Sequence, residues 1–190
     1  MRLAYKVSAE EALQKLKDGN AAFLAAHTSG GDISPERRAF TCENGQAPYA
    51  VIVTCSDARV IPESIFGAGI GDLFVIRVAG NVIDNHQLGS IEYAAEHLGI
   101  RLVVVLGHDH CGAVDAAIHH DPEGYIRFIT DEIKRAIGEE QEDYAACCLN
   151  VRHSVECIEA SFEIQTEEQH GLRVIGALYR LADGRVEFGI

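Results

Sequence analysis

The sequence predicts an α/β fold: a single domain built on a mostly parallel β-sheet flanked by helices, with an antiparallel C-terminal hairpin at one edge. Three observations carry that prediction. Near-continuous apolar runs recur at 49–54, 73–78 and 101–106, too apolar along their length for strands with one wet face. Segments of helical period separate them, and strands alternating with helices make a parallel sheet covered on both faces. Near the end, Leu172 to Leu181 and Arg185 to Phe188 flank Ala182-Asp183-Gly184, a hairpin signal.

Each element has its own local cause. Ser8-Ala9-Glu10-Glu11 has capping-box spacing, and Leu13, Leu16, Phe23 and Leu24 follow on one helical face, which predicts a helical arm over about 8–27. Asn20 shares that face and is expected to be a buried amide or a contact with another subunit. Thr28 to Pro35 is a breaker-rich loop, a short polar segment follows, and Pro48 leads into the first strand. Ile61 to Phe66 opens a helix with Pro62 near its start, and Gly67, Gly69 and Gly71 end it. Because these glycines follow a helix instead of opening one, they make no dinucleotide fingerprint.

The second strand, Leu73 to Val78, closes on Gly80-Asn81. Ser90 to Leu98 reads as a helix with Ile91, Ala94 and Leu98 inward and Gly99 as its stop, and Arg101 to Leu106 is the third strand. Helical patterns resume at Gly112 and stop near Pro122. Ile126, Ile129, Ile133 and Ile137 form a further stripe. Apolar residues at 144, 148, 151, 155, 158 and 162 predict one long amphipathic helix. No linker or repeat interrupts the pattern, so residues 1–190 are expected to form one domain.

Composition narrows the class. With 190 residues, 47% hydrophobic and 24% charged, the chain can bury a core of its own. No apolar run reaches the roughly 18 residues of a membrane span. Met1 to Asn20 lacks a basic stretch followed by an apolar one, so no export signal is expected and the chain is assigned to the cytoplasm. There its six cysteines stay reduced. A formal charge of -13 argues against a nucleic-acid or anionic-membrane surface, and requires any anionic substrate to meet a locally positive site. Cys147, Cys148 and Cys157 are expected as core thiols and Cys42 as a partly exposed one.

Only Cys55 and Cys111 have metal-type neighbours. The third apolar run ends in Gly107-His108-Asp109-His110-Cys111-Gly112, and the first opens onto Cys55-Ser56-Asp57-Ala58-Arg59. Sites in open parallel sheets form beyond the carboxyl ends of the strands, which is where both segments fall. Two thiolates and one imidazole suit Zn2+, a borderline-soft ion that prefers a tetrahedral set. Asp57 stands two residues from Cys55 and can either ligate the metal or pair with Arg59, a fork that suggests a switch. Gly112 opens a helix, so its free amide is a candidate donor to an anionic oxygen. His110 is expected to face away from His108.

With these stretches in place, the chain closely resembles the β-class carbonic anhydrases. Gly71 to Arg77, Ala79-Gly80-Asn81 and Ser90 to Ala94 also match, as do the Leu16 to Phe23 helix and the closing Gly176 to Tyr179, Asp183-Gly184 and Val186. The resemblance implies reversible hydration of CO2 to bicarbonate and a proton, with Zn2+ held by Cys55, His108 and Cys111. Zinc-bound hydroxide would attack CO2 while Asp57, paired to Arg59, orients it. In a resting form Asp57 becomes the fourth ligand and shuts the site at lower pH. The resemblance further implies a homodimer or homotetramer whose N-terminal helix reaches a neighbour, giving Asn20 and Leu24 a contact surface. Ile52 stands where members with a regulatory bicarbonate site carry a tryptophan, although Arg77 matches their arginine. Val78 replaces the asparagine that usually follows that arginine, and no glutamine of the plant type is evident around Ala68.

Two other functions fit the same residues. One keeps the fold and zinc but acts on carbonyl sulfide or carbon disulfide. The other is a catalytically silent, zinc-stabilised oligomer, against which the Asp57/Arg59 pair argues, since a structural site needs no such dyad.

Overall fold

The computed structural model describes residues 7–26 and 30–190. Five strands form one sheet: β1 (Ala50–Thr54), β2 (Leu73–Arg77), β3 (Leu102–His108), β4 (Arg173–Tyr179) and β5 (Val186–Phe188), in the order β2-β1-β3-β4-β5. All neighbours run parallel except β4 and β5, which close the sheet as the expected antiparallel edge. Side chains alternate across a strand, and here both faces are buried. Val51, Val53, Val103 and Val105 face a core with Ile91, Val114, Ile133, Val151 and Ile158. Ala50, Ile52, Val104 and Leu106 face the other, with Leu16, Ile65 and Phe66. Each fully buried Val, Leu or Ile contributes roughly 1.5–3 kcal/mol of transfer free energy, so the two cores pin the strand register.

The helices are α1 (Ala9–Ala26), α2 (Pro35–Asn44), α3 (Pro62–Ile65), α4 (Asn85–His97), α5 (Gly112–His119), α6 (Ile126–Ile137), α7 (Asp143–Glu159) and α8 (Phe162–Glu168). The capping box at the start of α1 is present: Ser8 N donates to Glu11 Oε2 at 2.9 Å and Glu11 N to Ser8 Oγ at 3.2 Å. His27, at the end of the expected arm, and Thr28 and Ser29, at the start of the expected loop, lie outside the described residues, as does the expected leader-free stretch up to Lys6.

Several elements differ from the sequence expectation, each for a local reason. The polar segment after Pro35 is helical, because Ser34 Oγ accepts from Arg37 N and Pro35 fits the first turn. Helix α4 begins five residues before the expected Ser90, where Asp84 and Gln87 form a capping box. The stripe drawn through Phe162 spans two helices. Helix α7 stops at Glu159, Ser161 caps α8 through Ile164 N, and Phe162 is 75% exposed.

Asn20 meets the first of its two expectations, a buried amide. It is buried within its own chain, donating to Gly184 O at 2.9 Å and accepting from Val186 N at 3.1 Å. The amide therefore latches α1 onto the β4–β5 hairpin. Leu24 lies against the same hairpin at Gly184.

Candidate metal centre

The register of the sheet assembles the site. Thr54 of β1 pairs with Leu106 of β3, and β3 runs two residues further, to His108. Cys55 thus leaves β1 beside the end of β3, and Cys111 returns at the start of α5. Cys55, His108 and Cys111 are all buried, and their ligand atoms lie within 4.8 Å of one another.

A second layer fixes His108 and Cys55. Nδ1 of His108 is 2.8 Å from the Asp109 carbonyl, which accepts its proton and leaves Nε2 for the cluster. Asp109 is itself anchored, with Oδ2 accepting from Arg180 Nε at 3.0 Å and Oδ1 from Leu181 N at 2.8 Å. Cys55 Sγ accepts from Gly80 N at 3.3 Å. Gly80 sits in a tight turn at φ 68°, where a Cβ would meet Ile133 Cδ1 at 2.7 Å. From α7, Asn150 Nδ2 donates to Gly80 O at 2.8 Å and Ser154 Oγ to Asn81 O at 3.0 Å.

Asp57 and Arg59 meet as expected. Arg59 Nε donates to Oδ1 at 2.9 Å and Nη2 to Oδ2 at 2.8 Å, while Arg59 N adds a third bond at 2.9 Å. Asp57 Oδ2 also lies 3.8 Å from His108 Nε2, at the rim of the cluster. The Arg77 guanidinium donates to Cys55 O and Asp57 O at 3.2 and 2.7 Å, so it clamps the loop that carries both residues. Gly112 is exposed at the start of α5, with open space where a side chain would stand. His110 faces outward, its ring 72% exposed and 3.3 Å from Asp143.

The electrostatics follow from this packing. The two thiols act as a pair. Hydrogen bonding from Cys111 is the main cause that holds Cys55 well below the ordinary thiol range, and the same bond, with burial, pushes Cys111 up. Burial alone would lower the His108 imidazole, but the Cys55 sulfur, the Asp109 carbonyl and the Asp57 carboxylate outweigh it and hold it above its usual value. Hydrogen bonds from the Arg59 side chain are the largest cause keeping the Asp57 carboxyl far below the usual carboxylate range.

These residues fit a metal ion. Nε2 of His108 is buried with no hydrogen-bond partner, an arrangement that costs about 1–3 kcal/mol when nothing fills it. Two sulfurs and that nitrogen make a donor set for a borderline-soft cation.

Sequence reasoning found the three cluster residues and the Asp57/Arg59 pair but missed Asp109, Gly80, Asn150 and Ser154. The last two carried a signal: they are polar residues one helical turn apart on the buried face of α7. Cys157, expected in the core, is only half-buried.

Comparison with known proteins agrees with the geometry. A family model described as carbonic anhydrase matches residues 50–186. The chain is 40% identical to a carbonic anhydrase of Mycolicibacterium smegmatis over 188 residues, covering 93% of this chain and 91% of the relative. It is 39% identical to carbonic anhydrase 2 of Mycobacterium tuberculosis, covering 92% and 89%. Among solved structures, the β-carbonic anhydrase CafA of Aspergillus fumigatus superposes with a TM-score of 0.75 at 27% identity, covering 94% of this chain and 89% of that one. The Coccomyxa β-carbonic anhydrase in complex with acetazolamide gives 0.72 at 26% identity, covering 93% and 84%. Sheet order, the Cys/His/Cys cluster at the strand ends and these likenesses along nearly the whole chain converge, and the chain belongs to the β-class carbonic anhydrases.

Proposed function

We propose that the chain hydrates CO2 reversibly to bicarbonate and a proton, with Zn2+ held by Cys55, His108 and Cys111. The observation that carries this reading is the buried, unpartnered His108 Nε2 between two sulfurs, with an ionised carboxylate at its edge. Zinc, when bound, supplies Lewis-acid activation of water near neutral pH.

The protein's own residues do the rest. Arg59 fixes Asp57 at two oxygens, so Oδ2 is a positioned acceptor beside the cluster. It can accept a hydrogen bond from the attacking water and orient its lone pair toward CO2. The carboxyl is held too far down to store the released proton, so that proton leaves by another route. The Gly112 amide, at the N-terminus of α5, is placed to donate to a bicarbonate oxygen. In a closed form, Asp57 would leave Arg59 and become the fourth ligand.

We also infer a homodimer or homotetramer, with the N-terminal arm reaching a neighbour. The support is the outer edge of β2, an edge strand whose Leu73, Phe74, Val75 and Ile76 are only half-buried in one chain. A solution mass that is a multiple of the 20.6 kDa chain is expected, and a 20.6 kDa species would contradict the assembly. Among the described residues no helix is long and apolar enough to cross a membrane, and we place the protein in the cytoplasm.

Stopped-flow CO2 hydration tests the activity. Zinc-loaded protein should turn over CO2, and Asp57→Ala should lose most of that rate while keeping its zinc. Absence of turnover at every pH with full zinc occupancy would overturn the reading.

A further inference from the structure

Away from the metal centre, three potential ligand atoms converge between α6 and α7. His153 and Cys157 stand at i and i+4 on α7, a spacing that puts two side chains on one helix face. Glu132 reaches them from α6. His153 Nε2 is 2.8 Å from Glu132 Oε1 and 3.6 Å from Cys157 Sγ, and all three ligand atoms lie within 4.8 Å of one another. Each residue is half-buried, so the group is neither sealed in the core nor freely solvated.

Hydrogen bonding alone serves this arrangement poorly. Both neighbours approach the same ring nitrogen, whereas a nucleophile–base–orienter relay uses the two different nitrogens of the imidazole. One Nε2 proton serves one strong acceptor, the Glu132 carboxylate. A bond in the other sense, from the Cys157 thiol to Nε2, needs that proton gone. A cation at the point of convergence would satisfy all three atoms together.

Charge and spacing agree. Arg135 occupies the other Glu132 oxygen, Oε2, at 2.7 Å, which orients the carboxylate and turns Oε1 toward His153. Around Cys157, Glu132 and Glu156 outnumber Arg135, so the local field favours a cation. Ligand bonds of about 2.0–2.3 Å at tetrahedral angles put neighbouring donors about 3.3–3.6 Å apart. The sulfur–nitrogen distance already matches, and the carboxylate–imidazole contact must open by roughly half an ångström.

We propose that Glu132, His153 and Cys157 form a second metal site, an open carboxylate–imidazole–thiolate set for Zn2+ or a similar borderline divalent cation. Three protein ligands leave a position for water or a small donor, so this site loads and unloads more readily than the buried one. It lies outside the catalytic machinery and does not depend on the proposed CO2 chemistry.

The test is metal content by mass spectrometry after the zinc-loaded protein is equilibrated with micromolar Zn2+ and desalted. Two zinc ions per chain are expected in the parent and in Cys42→Ser, which controls for the exposed thiol. One per chain is expected in Cys157→Ser and in Glu132→Gln, a substitution that keeps the shape of the side chain. In parallel, added Zn2+ should slow alkylation of Cys157, read by peptide mapping, by at least about tenfold. A parent that holds one zinc, or variants that all hold two, would overturn the site. CO2 hydration by Cys157→Ser should equal that of the parent, so failure here and failure of the catalytic reading are separable.

Discussion

Arg59 grips Asp57 at both oxygens, at 2.9 and 2.8 Å, while the same Asp57 Oδ2 lies 3.8 Å from Nε2 of His108. One carboxylate is thus shared between a guanidinium that fixes it and the Cys55/His108/Cys111 cluster at whose edge it stands. A fork-shaped donor matches a carboxylate at two points, which a lysine ammonium cannot reproduce. Arg59→Lys should therefore lose about tenfold or more in kcat/KM, roughly 1.4 kcal/mol of transition-state stabilisation, with zinc content unchanged. Stopped-flow rates at equal metal loading check this.

The same pair makes a statement about pH. The Asp57 carboxyl is held far below its ordinary range, chiefly by hydrogen bonds from the Arg59 side chain. Stabilisation from a depressed carboxyl is fully present above its unfolded pKa, about 4, and is lost only as pH falls through the lower folded value. Between pH 5 and 8 the stability difference between the parent and Arg59→Ala should be constant. Denaturation curves across that window check it, and a difference that shrinks toward pH 5 would contradict it.

Gly80 is the backbone support of Cys55. Its positive φ and the 2.7 Å approach of Ile133 Cδ1 leave no room for a side chain. Gly80→Ala should cost about 1–3 kcal/mol through strain and overpacking. That lowers Tm by roughly 2–4 °C per kcal/mol for a chain of this size. Zinc affinity should fall with it, because the turn delivers an N–H to the Cys55 sulfur.

Asp109 touches no candidate ligand through its carboxylate, yet it sets the segment whose carbonyl orients His108. Asp109→Asn weakens the Arg180 contact and should reduce zinc affinity by about 10–100-fold, in the range for residues that orient metal ligands. Competition with a chromogenic chelator checks this, and unchanged affinity would remove Asp109 from the site's support.

Asn20→Ala separates two roles for one amide. Loss of its bonds to Gly184 O and Val186 N should cost about 1–3 kcal/mol, because both backbone groups are left buried and unpaired. Tm should fall while the solution mass stays the same. A dissociated species with unchanged Tm would instead make Asn20 an intersubunit contact.

Legibility of the sequence followed the physics of each region. The apolar runs showed the sheet because a strand buried on both faces tolerates almost nothing else. Cys55, His108 and Cys111 were visible because their side-chain chemistry is unusual at strand ends. Helix α2 was hidden because its sequence is polar and its start, Ser34-Pro35, resembles a turn as much as a cap. The break between α7 and α8 was hidden because Phe162 continues the apolar period although it faces solvent. Asn150 and Ser154 reach the Gly80-Asn81 backbone from about 70 residues away, and although their polar spacing on α7 marks them, no local pattern names the partner.

The central claim is that Cys55, His108 and Cys111 hold the zinc. X-ray absorption at the zinc edge, on zinc-loaded Cys157→Ser protein so that only this centre contributes, tests it most directly. The account predicts two sulfurs at about 2.3 Å and two lighter atoms, nitrogen or oxygen, at about 2.0–2.1 Å. A shell of nitrogen and oxygen alone, or one with a single sulfur, would contradict it.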